Sequence, residues 1–349
     1  MTTKRRKQAG FTLIELMVSM TLFSFAIAGV LAIAVSMAQG YREQRQVVQT
    51  ESTARGALEF IADAVRMTSP AVQNADLTAT TATPAAGEPH IVVGDIEDTE
   101  SQNDITTGKC KTGAIRIYDS ATGPDTLEIV HASGGAVTSV GSGGFTAGTA
   151  SLPLTDITAV AVGDHLLVTN GTRGHVVRVT TLTAGIAPAG TATVATGACI
   201  VVTATAYAQG ELVIRVLKAR FYVGTFDSIT PVLIMDPDGD GIAAAPEPLA
   251  DYVEDFQVAV GVDELADNSI DPTTEWGFSM GGPTSFTLGR DVRALRITLV
   301  ARAATSLPGT AATYRRPEVE NNPQAASLDT FRRRVLTTTV DVRNLLGSP

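Results

Sequence analysis

A run of 23 residues without a single charge, Leu16 to Ala38, begins a short distance after the basic cluster Lys4, Arg5, Arg6 and Lys7. An α-helix needs roughly 20 apolar residues to cross a bilayer core, so this chain carries a membrane-length helix near its N-terminus. The order of the parts is unusual. A secretory signal places its apolar region before a small-residue cleavage site. Here residues 1–10 contain no apolar region, and the apolar run follows the Gly10-Phe11 bond. Cleavage at that bond would leave the hydrophobic segment on the mature chain. The basic residues predict a cytoplasmic N-terminus, with everything after about Tyr41 on the far side of the membrane. Glu15 is the anomaly, because a carboxylate inside an apolar helix costs about 2.5–3.5 kcal/mol on insertion scales. It either snorkels to the interface or has a partner.

The junction Gly10-Phe11-Thr12-Leu13-Ile14-Glu15-Leu16 resembles the class III signal peptides of type IV pilins and type II secretion pseudopilins. A prepilin peptidase cleaves such chains after the glycine and methylates the new N-terminus. The resemblance implies Gly10 as the cleavage position and Phe11 as the methylated residue. It also implies that Glu15 pairs with the N-terminal amine of a neighbouring subunit during assembly.

Four later segments are similar to the PilW family of minor pilins: 54–66 (ARGALEFIADAVR), 162–168 (VGDHLLV), 249–258 (LADYVEDFQV) with Gly261-Val262-Asp263, and 333–345 (RRVLTTTVDVRNL). The implied fold is α+β, a long N-terminal helical spine packed on an enlarged antiparallel β-sheet domain. The implied organisation is a leader at 1–10, a spine helix at 11–68 that is transmembrane at about 16–38, and an exported β-rich domain at 69–349. A β region at 120–210 reads as an insertion. The family function is to prime type IV pilus assembly, near the pilus tip. Implied partners are other minor pilins, the major pilin, the prepilin peptidase, the inner-membrane assembly platform and a tip adhesin. A type II secretion pseudopilin and a pilin-stem adhesin are the alternative readings.

Beyond the membrane run, Val47, Val48, Ala54, Leu58, Ile61, Ala62 and Val65 recur at spacings of three and four among charged residues, so the helix continues as an amphipathic one. Ser69-Pro70 predicts its stop. About 280 residues then remain, enough for one large or two small domains. This part is rich in Gly, Thr, Ala and Val and reads as β structure. Residues 71–112 read as loop. Strands are expected at 114–118, 126–130, 164–168, 175–179, 212–217, 219–223, 232–235, 255–260, 292–301 and 334–342, with a Gly/Ser-rich break at 133–148 and an exposed loop at 313–327. Asn170-Gly171 marks a hairpin turn.

The chain is acidic, and removing the four basic leader residues would lower its net charge from −10 to −14. That excludes nucleic acid as a natural partner, since phosphate binding wants a basic surface. Cys110 and Cys199 fall in the exported part, where they either pair as a disulfide or stay as buried thiols. Asp236-Pro237-Asp238-Gly239-Asp240-Gly241 followed by Glu247 fits the carboxylate spacing of a calcium loop, Asp236, Asp238, Asp240 and Glu247 being the ligands. Pro237, Pro246 and the lack of flanking helices favour a plain acidic hairpin turn instead. His90, His131, His165 and His175 form no metal or catalytic pair and read as surface or strand residues, and Trp276 and Phe278 read as core. No phosphate loop or nucleophile elbow is present, so the chain is not expected to be an enzyme.

If a narrow peptidase site must accept Gly10, Gly10→Val should accumulate as a leader-bearing protein in the inner membrane. Mass spectrometry of the N-terminus reads the outcome, and normal mature termini would remove the cleavage assignment.

Overall fold

The computed structural model describes residues 12–85, 87–99, 110–196, 199–237, 246–305 and 312–342. One helix, α1 (Leu13–Arg66), opens the chain. The chain divides into two compact units, Met1–Gln49 and Thr50–Pro349. In the first unit α1 is a membrane-length apolar helix over Leu13–Ala38 with none of that stretch buried.

In the second unit α1 buries one face, formed by Ala54, Ala57, Leu58, Ile61, Ala62, Ala64 and Val65. The packed stripe therefore begins later than the periodicity predicts. Val48 is 65% exposed. The helix ends as expected at Ser69-Pro70, where Ser69 takes a φ of 54°. That left-handed residue redirects the chain onto the sheet: its N–H donates to Val130 O at 2.8 Å, and Ala132 N–H donates to Met67 O at 3.0 Å.

The strands follow in chain order. They are β1 (Leu77–Thr80), β2 (Ile91–Val93), β3 (Ile96–Asp98), β4 (Lys111–Thr112), β5 (Ile115–Tyr118), β6 (Thr126–Ser139), β7 (Phe145–Thr146), β8 (Ser151–Leu154), β9 (His165–Thr169) and β10 (Gly174–Ala184). After these come β11 (Gly190–Val194), β12 (Ala206–Tyr207), β13 (Leu212–Thr225), β14 (Pro231–Asp236), β15 (Glu247–Asp251), β16 (Val253–Val262), β17 (Trp276–Gly277), β18 (Val292–Arg302) and β19 (Arg333–Asp341). Among the described residues thirteen strands form the main sheet, whose central path is β1-β2-β5-β6-β13-β9-β10-β11-β8. A four-stranded sheet runs β17-β16-β18-β19, and β7 pairs with β12. Pairing is antiparallel except between β3 and β10.

Strand β13 is the axis of this arrangement. It pairs with β6 along most of its length, with β9 over its first residues and with β14 over its last. The helix face of α1 joins β5, β6, β13, β16 and β18 in one core, with the Phe60 and Phe221 rings edge-on at 6.3 Å. A second apolar cluster, including Phe145, Leu152, Leu166, Val177 and Tyr207, lies wholly within residues 140–213.

Three expectations need correction. Residues 71–112 contain β1 to β4, each of four residues or fewer and too short to show alternation. The Gly/Ser-rich break at 133–148 is in part strand: β6 continues to Ser139, because the register steps from Ala132 opposite Val216 to Val137 opposite Ile214. That bulge absorbs Gly134 and Gly135 without ending the ladder. The strands expected at 212–217 and 219–223 are one continuous β13.

A row of charges crosses the main sheet. Glu128 on β6 stands between Arg116 on β5 and Arg220 on β13 in register. Its carboxylate accepts from Arg116 Nε at 2.8 Å and Tyr118 OH at 3.0 Å, with Lys111 Nζ at 3.5 Å. Burial opposes ionisation of Glu128, but Arg116 and Lys111 outweigh it and hold the carboxyl below the usual glutamate range. A depressed folded-state pKa means stability that is present above the unfolded value and lost as pH falls. Glu128→Gln, which strands buried cations, should cost about 3–5 kcal/mol near neutral pH by chemical denaturation of the detergent-solubilised chain. The gap from wild type should narrow below pH ~4.5, the ordinary glutamate value. An unchanged midpoint at pH 7 would show that the row contributes nothing.

Candidate functional site

The chemistry at the start of α1 is a reciprocal cap. Glu15 accepts from the backbone N–H of Thr12 at 2.9 Å and from its hydroxyl at 2.9 Å, while Glu15 N–H donates to Thr12 Oγ1 at 3.3 Å. Thr12-Leu13-Ile14-Glu15 is thus a capping box, which satisfies helix N–H groups that otherwise lack partners. The sequence reading missed this function for Thr12, although the Thr-x-x-Glu spacing was there to find. The Glu15 side chain is exposed, as are Leu13, Ile14, Leu16 and Met17 around it. Gly10 and Phe11 lie outside the described residues.

In the second unit Cys110 and Cys199 form a disulfide with a Cα–Cα distance of 4.8 Å across 89 residues of sequence. Asp236 ends β14 and Glu247 begins β15, next to each other through the Met235–Glu247 pair. Asp238 and Asp240 lie outside the described residues. Among the described residues no three His, Cys, Asp or Glu side chains gather as metal ligands.

The histidines are strand or loop residues, and one is deeply buried. His175 Nδ1 bonds Tyr207 OH at 2.5 Å and its Nε2 lies 3.1 Å from Thr203 O and 3.3 Å from Glu97. Trp276 and Phe278 are buried, and the Arg296 guanidinium stacks 4.5 Å over the Trp276 ring.

The segment expected as an exposed loop at 313–327 is irregular but anchored, a role the sequence reading did not foresee. Arg316 Nη1 donates to Asp255 at 2.6 Å, and Asn322 donates to the same carboxylate at 2.9 Å and to Gly123 O at 3.2 Å. Nearby, Asp125 accepts from Ser120 N–H and Val258 N–H, both at 2.8 Å. Burial, reinforced by Asp119, pushes the Asp125 carboxyl well above the usual aspartate range. A polar strap on β16 carries no long apolar run, so periodicity alone could not find it.

The model of the Prokaryotic N-terminal methylation motif matches residues 5–31, and that of Type IV Pilus-assembly protein W matches residues 220–344. In this motif and in its α+β architecture the chain is similar to type IV pilin-like proteins. The C-terminal match spans β14 to β19 and the anchored strap, so that part of the chain is similar to Type IV Pilus-assembly protein W. Among solved structures, the Type IV-like pilin TTHA1219 from Thermus thermophilus is 17% identical, over 53% of this chain and 86% of that one, with a TM-score of 0.21. No curated protein matches the chain.

The loop closed by Cys110 and Cys199 is long, so the disulfide restricts the unfolded chain strongly. Replacing both residues by Ser should lower unfolding free energy by about 2–5 kcal/mol, read from the denaturant midpoint of the solubilised chain. Equal midpoints for variant and oxidised wild type would show that the bridge does not support the fold.

Proposed function

We propose that the chain is processed at Gly10, methylated at Phe11 and anchored in the inner membrane with its β domain outside the cytoplasm. There it joins other minor pilins, primes assembly on the inner-membrane platform and enters the pilus at its tip complex. The observation that carries this reading is Glu15. It is an exposed carboxylate on a helix whose apolar stretch Leu13–Ala38 is not buried. Such a helix is stable in lipid or among other helices, and in lipid a polar side chain is an adhesive between helices. The capping box shows how the acid is accommodated beforehand: its charge is already hydrogen-bonded by Thr12 before a neighbour arrives.

The cap also decides which substitution tests the proposal. Glu15→Val removes cap and charge together, whereas Glu15→Gln preserves the capping box and removes only the charge. Hydrogen bonds to charged groups contribute about 1.5–3 kcal/mol, so Glu15→Gln should weaken capture by partner pilins roughly 10- to 100-fold. Membrane insertion and processing should stay normal. Co-purification with tagged partner pilins from membranes measures this, and wild-type recovery of the variant would contradict the role given to the carboxylate.

A further inference from the structure

The edge of a β-sheet offers a row of unpaired backbone N–H and C=O groups to any other strand, and native folds blunt such edges. Most edges of this domain are blunted. Among the described residues β1 has four residues and a bulge, β8 has four and contains Pro153, and β15 has a register shift and contains Pro248. Strands β4, β7, β12 and β17 have two residues each. Strand β19 is the exception. It runs through nine residues, Arg333–Asp341, without proline, glycine or a shift in its register to β18, and it pairs with no other described strand.

The register decides which backbone groups face outward. Val342 N–H donates to Arg293 O at 3.0 Å, and Ala303 N–H donates to Arg332 O at 2.8 Å. Hydrogen-bonded pairs alternate along an antiparallel ladder, so Arg334, Leu336, Thr338 and Val340 are the residues that bond to β18. The N–H and C=O groups of Arg333, Val335, Thr337, Thr339 and Asp341 point away from it. Val335, Thr337 and Thr339 are exposed as well, Val335 by 45%.

We propose that this edge pairs with β19 of a second copy of the chain, antiparallel and centred on Thr337, joining two four-stranded sheets into one. In that register Thr337 faces its own counterpart, Val335 faces Thr339 and Arg333 faces Asp341. Outward-pointing residues thus meet outward-pointing residues, and the same patch serves on both copies. Composition favours a copy of the same strand over a foreign one. Val335-Leu336-Thr337-Thr338-Thr339-Val340 is uncharged, mostly β-branched and free of proline and glycine, which is the character of segments that pair with themselves. Facing threonines add cross-strand hydroxyl contacts. The net charge of −10 opposes self-association, but β19 itself carries two arginines against one aspartate, and its six central residues bring no like charges together. Arg333 keeps Glu254 and Asp329 on its own chain, so the pairing depends on the backbone ladder and not on the Arg333–Asp341 contact.

The test uses the full chain in detergent. Because both native cysteines are in the disulfide, only introduced cysteines can link two copies under mild oxidation. Facing residues of a hydrogen-bonded pair have Cα atoms about 5.5 Å apart, within disulfide reach, so Thr337→Cys should give a linked dimer. The two copies of residue 335 would lie roughly 14 Å apart along the ladder, so Val335→Cys should not link to itself but should link to Thr339→Cys in a mixture. Ile186→Cys, a 92% exposed position in the β10–β11 turn, should not link. Association through the apolar helices cannot imitate this pattern, which depends on register. In the mixed Val335→Cys and Thr339→Cys pair, adding Thr337→Lys to both copies sets like charges opposite each other and should lower the yield roughly fivefold. Thr337→Lys on one copy with Thr337→Glu on the other should restore it, which also shows that both variants fold. Equal linking at positions 337 and 186, or no recovery with the Lys and Glu pair, would overturn the proposal. Linking at 337 only to another purified pilin would overturn it too, giving the edge to a different protein.

Discussion

The packing of the last turns of α1 against β6 and β13 is the contact on which the rest of the domain depends. Ala54, Ala57, Leu58, Ile61 and Val65 bring small and branched side chains to a sheet face that Leu127, Ile129, Ala219 and Phe221 line. Small residues at the contact allow the helix to approach closely, and the larger ones interdigitate with the sheet. The backbone then locks the junction, with Met67 and Ser69 hydrogen-bonded to β6 on leaving the helix. The four-stranded sheet completes the same core through Phe256, Val258, Leu295 and Ile297. Everything C-terminal to Ser69 is thereby attached to one rigid helix end, which is what a subunit needs if force on its helix is to reach its domain.

The two units place opposite demands on one helix. Over Thr50–Arg66 it is half covered, and its charged residues Glu51, Arg55, Asp63 and Arg66 pair along the exposed side. Over Leu13–Ala38 it is apolar and none of the stretch is buried. A single acid in that stretch would be a plain liability were it not already hydrogen-bonded to Thr12. The capping box lowers the cost of carrying Glu15 into an apolar phase.

Much of this was legible in the sequence, for physical reasons specific to each part. The basic cluster, the uninterrupted apolar run and Ser69-Pro70 bound the helix to within a few residues of Leu13 and Arg66. Asn170-Gly171 marked the β9–β10 hairpin, because few other residue pairs accept its backbone angles. Strands such as Val253–Val262 and Val292–Arg302 announced themselves by their share of Val, Ile, Leu and Phe between polar positions. What stayed hidden depends on partners distant in sequence. The strands β1 to β4 are too short to show a period, and the bulge that carries β6 through Gly134-Gly135 exists only opposite β13. The strap at Arg316 and Asn322 is a set of polar residues whose meaning comes from Asp255, more than sixty positions away. At the candidate site, Glu15 stood out by its charge, but its bond to Thr12 was missed because the acid was weighed against the membrane and not against the helix end.

The central claim is that Glu15 exchanges its own helix cap for the amine of a neighbouring subunit on assembly. Solid-state NMR dipolar recoupling tests it directly, using this chain labelled with 13C at the Glu15 carboxylate and partner pilins labelled with 15N at their N-termini. The account predicts an intermolecular coupling that corresponds to a hydrogen-bonded ion pair, about 2.7–2.9 Å between N and O, in the assembled complex and none in single-copy nanodiscs. A complex that forms fully while the labelled carboxylate shows no coupling to any partner's amine would contradict it.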